Sequence, residues 1–309
     1  MSIAHSYIGI DIARARLDIC DDLSGPRAIA NAPAAIAAFI ESLAGRSVTV
    51  VFEATGAYDR TLRAALAAAR IRAIRVNPGR ARDFARAAGY LAKTDAVDAR
   101  MLAAMARAIA LPADEPVDPQ REELNALARQ RDWLVELRAQ EMTRLPKAGA
   151  QAVTTAIEAH IAWLDQQIRA LEAAIDTLIA NAADLHATKR LLETAPGVGP
   201  VTAAILIAQM PELGRRSSKA IAALAGLAPL NNDSGDKRGR RSIKGGRRRV
   251  RRALYMAALS AIRAVPRFAQ AYAAIAQRAA SKKVALIAVA RKLLVALNAM
   301  IAKRQPFAP

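Results

Sequence analysis

The chain is short of the residues from which compact metal and disulfide sites are usually built. Among 309 residues there is one cysteine, Cys20, whereas a disulfide framework or a thiolate zinc site needs several. A reducing, cytoplasmic setting near the nucleoid is therefore expected. The three histidines, His5, His160 and His186, are far apart in sequence. With no pair four residues apart on one helix they read as ordinary residues, not ligands. Residues 1–6 lack the basic and then apolar order of a secretory signal, so no export is expected. The most apolar late stretch, residues 284–301, is broken by Arg291 and Lys292. It reads as a buried helix, with no membrane partner. Negative charge is also scarce: 27 acidic residues face 46 Lys and Arg, a formal net charge of +19. A polyanion is the natural partner of such a chain, and the clustering of the charge, developed below, favours nucleic acid.

What is present begins with strand signals. Residues 7–12 (YIGIDI) and 17–20 are short apolar runs separated by four residues, which predicts two paired strands. Residues 48–53 (VTVVFE) have the near-continuous apolarity of a buried parallel strand, and residues 72–76 resemble another. Between them, residues 58–70 are rich in Ala and Leu and predict a helix, so that strand and helix alternate as in an α/β domain. Residues 95–110 predict a helix that ends at a linker containing Pro112, Pro116 and Pro119. Residues 122–145 are helical and charged, then Pro146 and Gly149 mark a turn. Beyond it Ile157, Ile161, Leu164, Ile168, Leu171, Ile175 and Leu178 alternate four and three apart, the pattern of a coiled coil or helical hairpin, packed within one subunit or between two. A helical third region follows. Three domains are expected, at 1–112, 119–187 and 188–309.

Four acids stand out. Asp11 and Glu53 end apolar strand runs, where a sheet holds the backbone rigidly. Asp95 and Asp98, three apart at the start of a helix, share one face. Together they offer hard oxygen ligands for Mg²⁺ or Mn²⁺, and a pair of such ions can stabilise both the attacking and the leaving oxygen of a phosphodiester. Alternatively, Asp95 and Asp98 are helix caps favoured by the dipole. A strand ending Gly-Ile-Asp also opens actin-like ATPase and sugar-kinase folds. Those folds need a second Gly-rich phosphate turn after a later strand, and no convincing one precedes the helical region.

Near the C-terminus, residues 191–210 (LLETAPGVGPVTAAILIAQM) read as helix, turn and helix. In this helix-hairpin-helix-like element Gly197 and Gly199 would let backbone N–H groups approach a phosphate, unless the unit merely packs. A polar loop at residues 231–236 leads into residues 237–252, where ten of sixteen residues are basic and none is acidic. Lys237, Arg238, Arg240, Arg241, Lys244, Arg247, Arg248 and Arg249 are the candidate phosphate contacts, on a loop that Gly239, Gly245 and Gly246 would hold close to the backbone of DNA. Nearby cations stabilise an alkoxide and hold the attacked phosphate, so Ser234 is a candidate nucleophile, with Ser217, Ser218 and Ser242 as competitors.

Taken in order, Gly9-Ile10-Asp11, Glu53-Ala54-Thr55-Gly56, Val76-Asn77-Pro78, Leu91-Ala92-Lys93-Thr94-Asp95 with Asp98-Ala99, Pro196-Gly197-Val198-Gly199-Pro200, the run LAGLAP at 224–229 and Ser234-Gly235 with its basic loop make the chain resemble the bridge-RNA-guided serine transposases of insertion sequences. That family includes the pilin-gene-inverting recombinases, and the resemblance spans nearly the whole chain. It implies an α/β domain of RNase H and RuvC type with Asp11, Glu53, Asp95 and Asp98 as the acidic tetrad. It further implies a coiled-coil insertion and a mostly helical C-terminal domain in which Ser234 attacks DNA to form a phosphoserine link. The implied partners are double-stranded DNA, a structured non-coding guide RNA and further copies of the chain. These are dimers pairing into tetramers, with the acids and serine of one centre drawn from different subunits. Where the family often has Ser-Lys after the first strand, this chain has Ala13-Arg14. Two other functions use the same residues: a metal-dependent nuclease of the Holliday-junction type with no covalent intermediate, and a non-enzymatic nucleic-acid-binding protein.

Overall fold

The computed structural model describes residues 5–54, 56, 58–90, 94–111, 118–231, 239, 241–279 and 281–308. The chain divides into two compact units, Met1–Val117 and Asp118–Pro309.

The first unit is built on a mixed sheet. Its strands are β1 (Ser6–Ile12), β2 (Arg16–Asp21), β3 (Gly25–Ala30), β4 (Val48–Glu53) and β5 (Arg72–Val76), in the spatial order β3-β2-β1-β4-β5. The first three form an antiparallel meander, and β4 and β5 run parallel to β1. Because side chains alternate along a strand, the run Ile8, Ile10 and Ile12 faces one side, where it packs with Phe52 of β4. Helices α1 (Pro33–Glu41) and α2 (Arg60–Ala68) cover that side with Ile36, Phe39, Leu62 and Leu66. The opposite side carries Val51, Ile74 and Val76 under α3 (Pro78–Ala87) and α4 (Asp95–Ala108), whose Met101, Leu102 and Met105 complete a second core. A buried sheet with helices on both faces is the stable solution for such apolar strands.

The second unit is mostly helical. Helices α5 (Pro119–Arg144) and α6 (Gln151–Ala180) are joined by a 3₁₀ turn at Leu145–Lys147. Ion pairs Arg131 to Glu172 and Arg138 to Asp165, with a hydrogen bond between His160 Nδ1 and Glu141 Oε1, link them as an antiparallel hairpin. Of the heptad positions, Ile157, Leu164, Ile168 and Ile175 are buried. Next come α7 (Ala183–Glu193), α8 (Pro200–Gln209) and α9 (Ser218–Leu224), a short ladder of β6 (Pro229–Leu230) with β7 (Ser242–Ile243), and then α10 (Arg248–Ala264), α11 (Pro266–Ala276) and α12 (Lys282–Lys303). By length and composition α12 is apolar enough to cross a membrane. Its Val289, Leu293, Leu294 and Leu297 are wholly buried in the core of the unit, as a core helix requires.

The structure corrects the sequence reading at several boundaries. Pro119 belongs to no linker: it opens α5, with the Asp118 carboxylate accepting hydrogen bonds from the Gln120 and Arg121 N–H groups. Proline suits a first-turn position because its missing donor would have no helical partner there. The helix expected at residues 58–70 is shorter, Arg60–Ala68, and the one expected to reach residue 110 stops at Ala108. The basic run is only partly a loop, since from Arg248 onward it forms the start of α10. Strand β3 carries no clear alternation, whereas α1 and α3, not expected from the sequence, do show helical spacing in Ile36, Phe39 and Ile40 and in Ala81, Phe84 and Ala85.

Candidate active site and nucleic-acid interface

Gly9 sets the geometry of the acidic site. A Cβ at this position would lie 1.9 Å from the Ala99 carbonyl oxygen and 2.6 Å from the Ala103 nitrogen. Helix α4 therefore lies on the backbone of β1, a closeness only glycine permits. Two residues on, and so on the same side of the sheet, is Asp11. The parallel pairing of Gly9 with Val51 and Ile10 with Phe52 carries Glu53 alongside it on β4. Helix α4 starts beside them with Asp95 and Asp98 in its first turn. The N-cap itself is Thr94, whose hydroxyl accepts from the Val97 N–H at 3.3 Å, while Asp95 and Asp98 stand in the first turn, where the helix dipole favours acids.

Electrostatics register the convergence. The Asp11 carboxyl is pushed up from its ordinary value, first by burial and then by the negative charges of Asp98 and Asp95, with the Ile12 N–H partly opposing and Asp18 adding to the rise. Asp18 is an acid the sequence reading passed over. It stands directly across from Asp11 in the β1–β2 ladder and is 8% exposed. Counting back from the tight turn, where the Ala13 N–H meets the Arg16 carbonyl at 2.9 Å, would have found it. Arg16 Nε donates to Asp18 Oδ2 at 2.8 Å and its Nη2 to Asp95 Oδ2 at 3.1 Å. All these acids offer hard oxygen donors suited to a divalent cation. Even so, among the described residues no three candidate ligands close on a single point.

In the second unit, Ser234, Lys237, Arg238 and Arg240 lie outside the described residues; the segments on either side of them are held together closely. Pro229 and Leu230 pair with Ile243 and Ser242. Below that ladder two backbones interlock: a Cβ on Gly246 would sit 2.1 Å from the Gly226 nitrogen, and one on Gly226 would sit 2.4 Å from the Gly245 oxygen. Arg251 Nη1 donates to the Gly245 carbonyl at 2.7 Å and the Gly226 carbonyl at 3.3 Å. The Arg247 N–H closes the clasp on the Leu224 carbonyl at 2.8 Å. Among the competing serines, Ser217 caps α9 by accepting from the Ala220 N–H, Ser218 opens that helix and Ser242 lies in β7.

The cations divide into two groups. Arg247 grips Glu212 with bonds of 2.6 and 2.5 Å. Burial would raise that carboxyl, but the guanidinium pulls it below its ordinary value. Arg249 is held by Asp132 at 2.7 and 3.0 Å and by the Ala128 carbonyl at 2.7 Å, and Arg252 by Glu136 at 2.8 Å. Cations at a helix N-terminus oppose its dipole, and these partners offset the cost. Arg241, Lys244 and Arg248 have no ion pair or hydrogen-bond partner among the described residues and face solvent or its margin. The glycines of the α7–α8 turn also differ. Gly197, at φ 83°, packs against α10, where a Cβ would meet the Ala257 oxygen at 2.2 Å, whereas the Cβ position of Gly199 is open.

Residues 189–273 match the transposase IS116/IS110/IS902 family, and residues 8–149 match the DEDD transposase family of the same IS110 group. The chain belongs to the IS110/IS116 family of transposases. This transposase is 29% identical over 317 residues to the pilin gene-inverting protein of Moraxella lacunata, covering 99% of this chain and 98% of that one. The Moraxella bovis pilin gene-inverting protein is 28% identical over 324 residues, with coverage of 99% and 98%. A 43.6 kDa protein of insertion element IS110 from Streptomyces coelicolor is 30% identical over 151 residues, 48% of this chain and 36% of that one. The transposase is a DNA-recombining enzyme, and its family points to DNA binding and to use of a divalent cation. All four tetrad candidates fall within the 8–149 match; Gly197, Gly199, Ser234 and the basic run fall within 189–273.

Proposed function

We propose that this transposase cuts and rejoins DNA through Ser234, with Asp11, Glu53, Asp95 and Asp98 holding Mg²⁺ or Mn²⁺ in an RNase H/RuvC-like domain. The observation that carries the reading is the gathering of Asp11, Asp95 and Asp98 at one end of a rigid sheet, felt by Asp11 as repulsion. Carboxylates that repel one another in the metal-free protein are relieved by a cation, which would supply charge stabilisation for a developing oxyanion. The sheet order, an antiparallel meander flanked by two parallel strands, is consistent with the RNase H-like assignment.

In the proposed step Ser234 Oγ forms a bond to phosphorus as the bond from phosphorus to one deoxyribose oxygen breaks. The serine proton passes to that departing oxygen, leaving a phosphoserine ester that a second DNA hydroxyl reverses. Lys244, Arg248 and Arg241 neutralise the DNA backbone beside the serine loop, while Arg247, Arg249 and Arg251 hold the loop's foundations. A structured guide RNA is the proposed source of sequence choice, favoured by the +19 charge. Self-association through the α5–α6 coiled coil is favoured by Trp133 and Trp163, which are 55% and 51% exposed on it.

The test is strand exchange on supercoiled DNA carrying the element's ends, with covalent protein–DNA adducts trapped by denaturation. Ser234→Ala abolishes both adduct and exchange, and Asp11→Asn abolishes cation-dependent cleavage. Exchange surviving Ser234→Ala refutes the serine step. Cation-dependent cleavage that never yields an adduct assigns the nuclease mechanism instead.

A further inference from the structure

We propose that Arg16 is a built-in counter-ion of the acidic site, bridging Asp18 and Asp95 in the metal-free protein and surrendering Asp95 when a divalent cation binds. The proposal rests on the reading of this cluster as a cation site. It begins from a mismatch: Asp18 lies across from Asp11 in the β1–β2 ladder and Arg16 ties it to Asp95, yet no three candidate ligands among the described residues close on one point.

Arg16 accounts for the mismatch. It lies on β2 two residues before Asp18, on the side of the sheet that bears Asp11. Its planar fork reaches inward to Asp18 and outward to Asp95, spanning two carboxylates as a lysine's single ammonium would not. The two halves of the bridge are unequal. The Asp18 side chain is 12% exposed and anchors the guanidinium, whereas Asp95 is 56% exposed and Arg16 53%. A solvent-exposed ion pair contributes little, so the Asp95 arm is the half that gives way. A cation entering beside Asp11 competes with Arg16 for the same Asp95 Oδ2, and the released carboxylate can then turn from the guanidinium toward Asp11. Until that happens Arg16 limits the repulsion of the cluster.

The measurement is Mn²⁺ titration of the purified full-length protein at fixed ionic strength, following free Mn²⁺ by electron paramagnetic resonance, with no DNA present. Arg16→Gln is expected to bind Mn²⁺ about two- to fivefold more tightly than wild type, the range set by releasing one exposed ion pair. Arg16→Lys should fall between them, and it carries the comparison if the glutamine variant fails to fold without metal. In melting experiments, Mn²⁺ should raise the Tm of the Arg16 variants by more than it raises that of wild type. Unchanged or weaker Mn²⁺ binding in the Arg16 variants, with Asp11→Asn still abolishing it, overturns the counter-ion role alone. Mn²⁺ binding that survives Asp11→Asn overturns the cation site itself.

Discussion

Gly9→Ala is the substitution that tests how the acidic site is assembled. The new methyl group would stand 1.9 Å from the Ala99 carbonyl oxygen, with the Ala103 nitrogen at 2.6 Å. Ordinary nonbonded contacts between heavy atoms lie near ~3.5 Å, so β1 and α4 must separate by about 1.5 Å locally. Both neighbours are backbone, in a strand and a helix, and neither can yield by a rotamer change. Overpacking of this kind costs about 1–3 kcal/mol, which lowers the Tm of a domain of this size by roughly 4–12 °C. The larger consequence is functional. Asp95 and Asp98 ride on α4 while Asp11 rides on β1, so the same displacement opens the cluster, and misplacement by about 1 Å costs on the order of 100-fold in rate. The assays are a thermal melt, Mn²⁺ titration and strand exchange on one preparation. A variant with wild-type Tm and wild-type Mn²⁺ affinity would refute the claim that α4's contact with Gly9 positions the acids.

Gly246→Ala should be equally damaging in the second unit: its Cβ meets the Gly226 nitrogen at 2.1 Å and its φ is 70°. Strain and overlap together cost about 2–4 kcal/mol, and chemical denaturation should show the loss along with failed strand exchange. Replacing Lys244 or Arg248 by Ala should lower the slope of log affinity against log salt by about 1 each with little change in Tm. Arg249→Ala should instead cost about 1.5–3 kcal/mol in stability by stripping Asp132 and the Ala128 carbonyl of their charged donor. Acid should loosen the first unit through Asp21. Burial works against its ionisation, but Arg46, Ser24 and the Leu23 N–H hold its pKa at about 2. A carboxyl depressed in the folded state stabilises it above the unfolded value near ~4, and this contribution is lost as pH falls toward about 2. It amounts to about 2 kcal/mol, and Asp21→Asn should flatten the acid limb of the stability curve.

Much of this protein is legible in the order of its residues. A near-continuous β-branched run identifies β4, short apolar runs identify β1 and β5, and the four-three alternation of Ile and Leu identifies α6, because burial of one stripe or one face imposes those periods. Strand ends marked Asp11 and Glu53, and the run from 237 to 252 marked the basic region, from residue type and position alone. Local sequence could not say which cations are used up. Arg247 and Arg249 are identical in kind to Arg248, yet Glu212 and Asp132, 35 and 117 residues away, claim them and leave Arg248 for solvent. Asp18 is likewise unremarkable along the chain and becomes part of the site only through strand register with Asp11. Residue chemistry and periodicity are properties of neighbouring positions, so most of the elements, four of the acids and the charge can be read along the chain. Which acids meet, and which arginines remain available to a phosphate, depends on contacts between residues far apart in the chain, and only tertiary packing decides those.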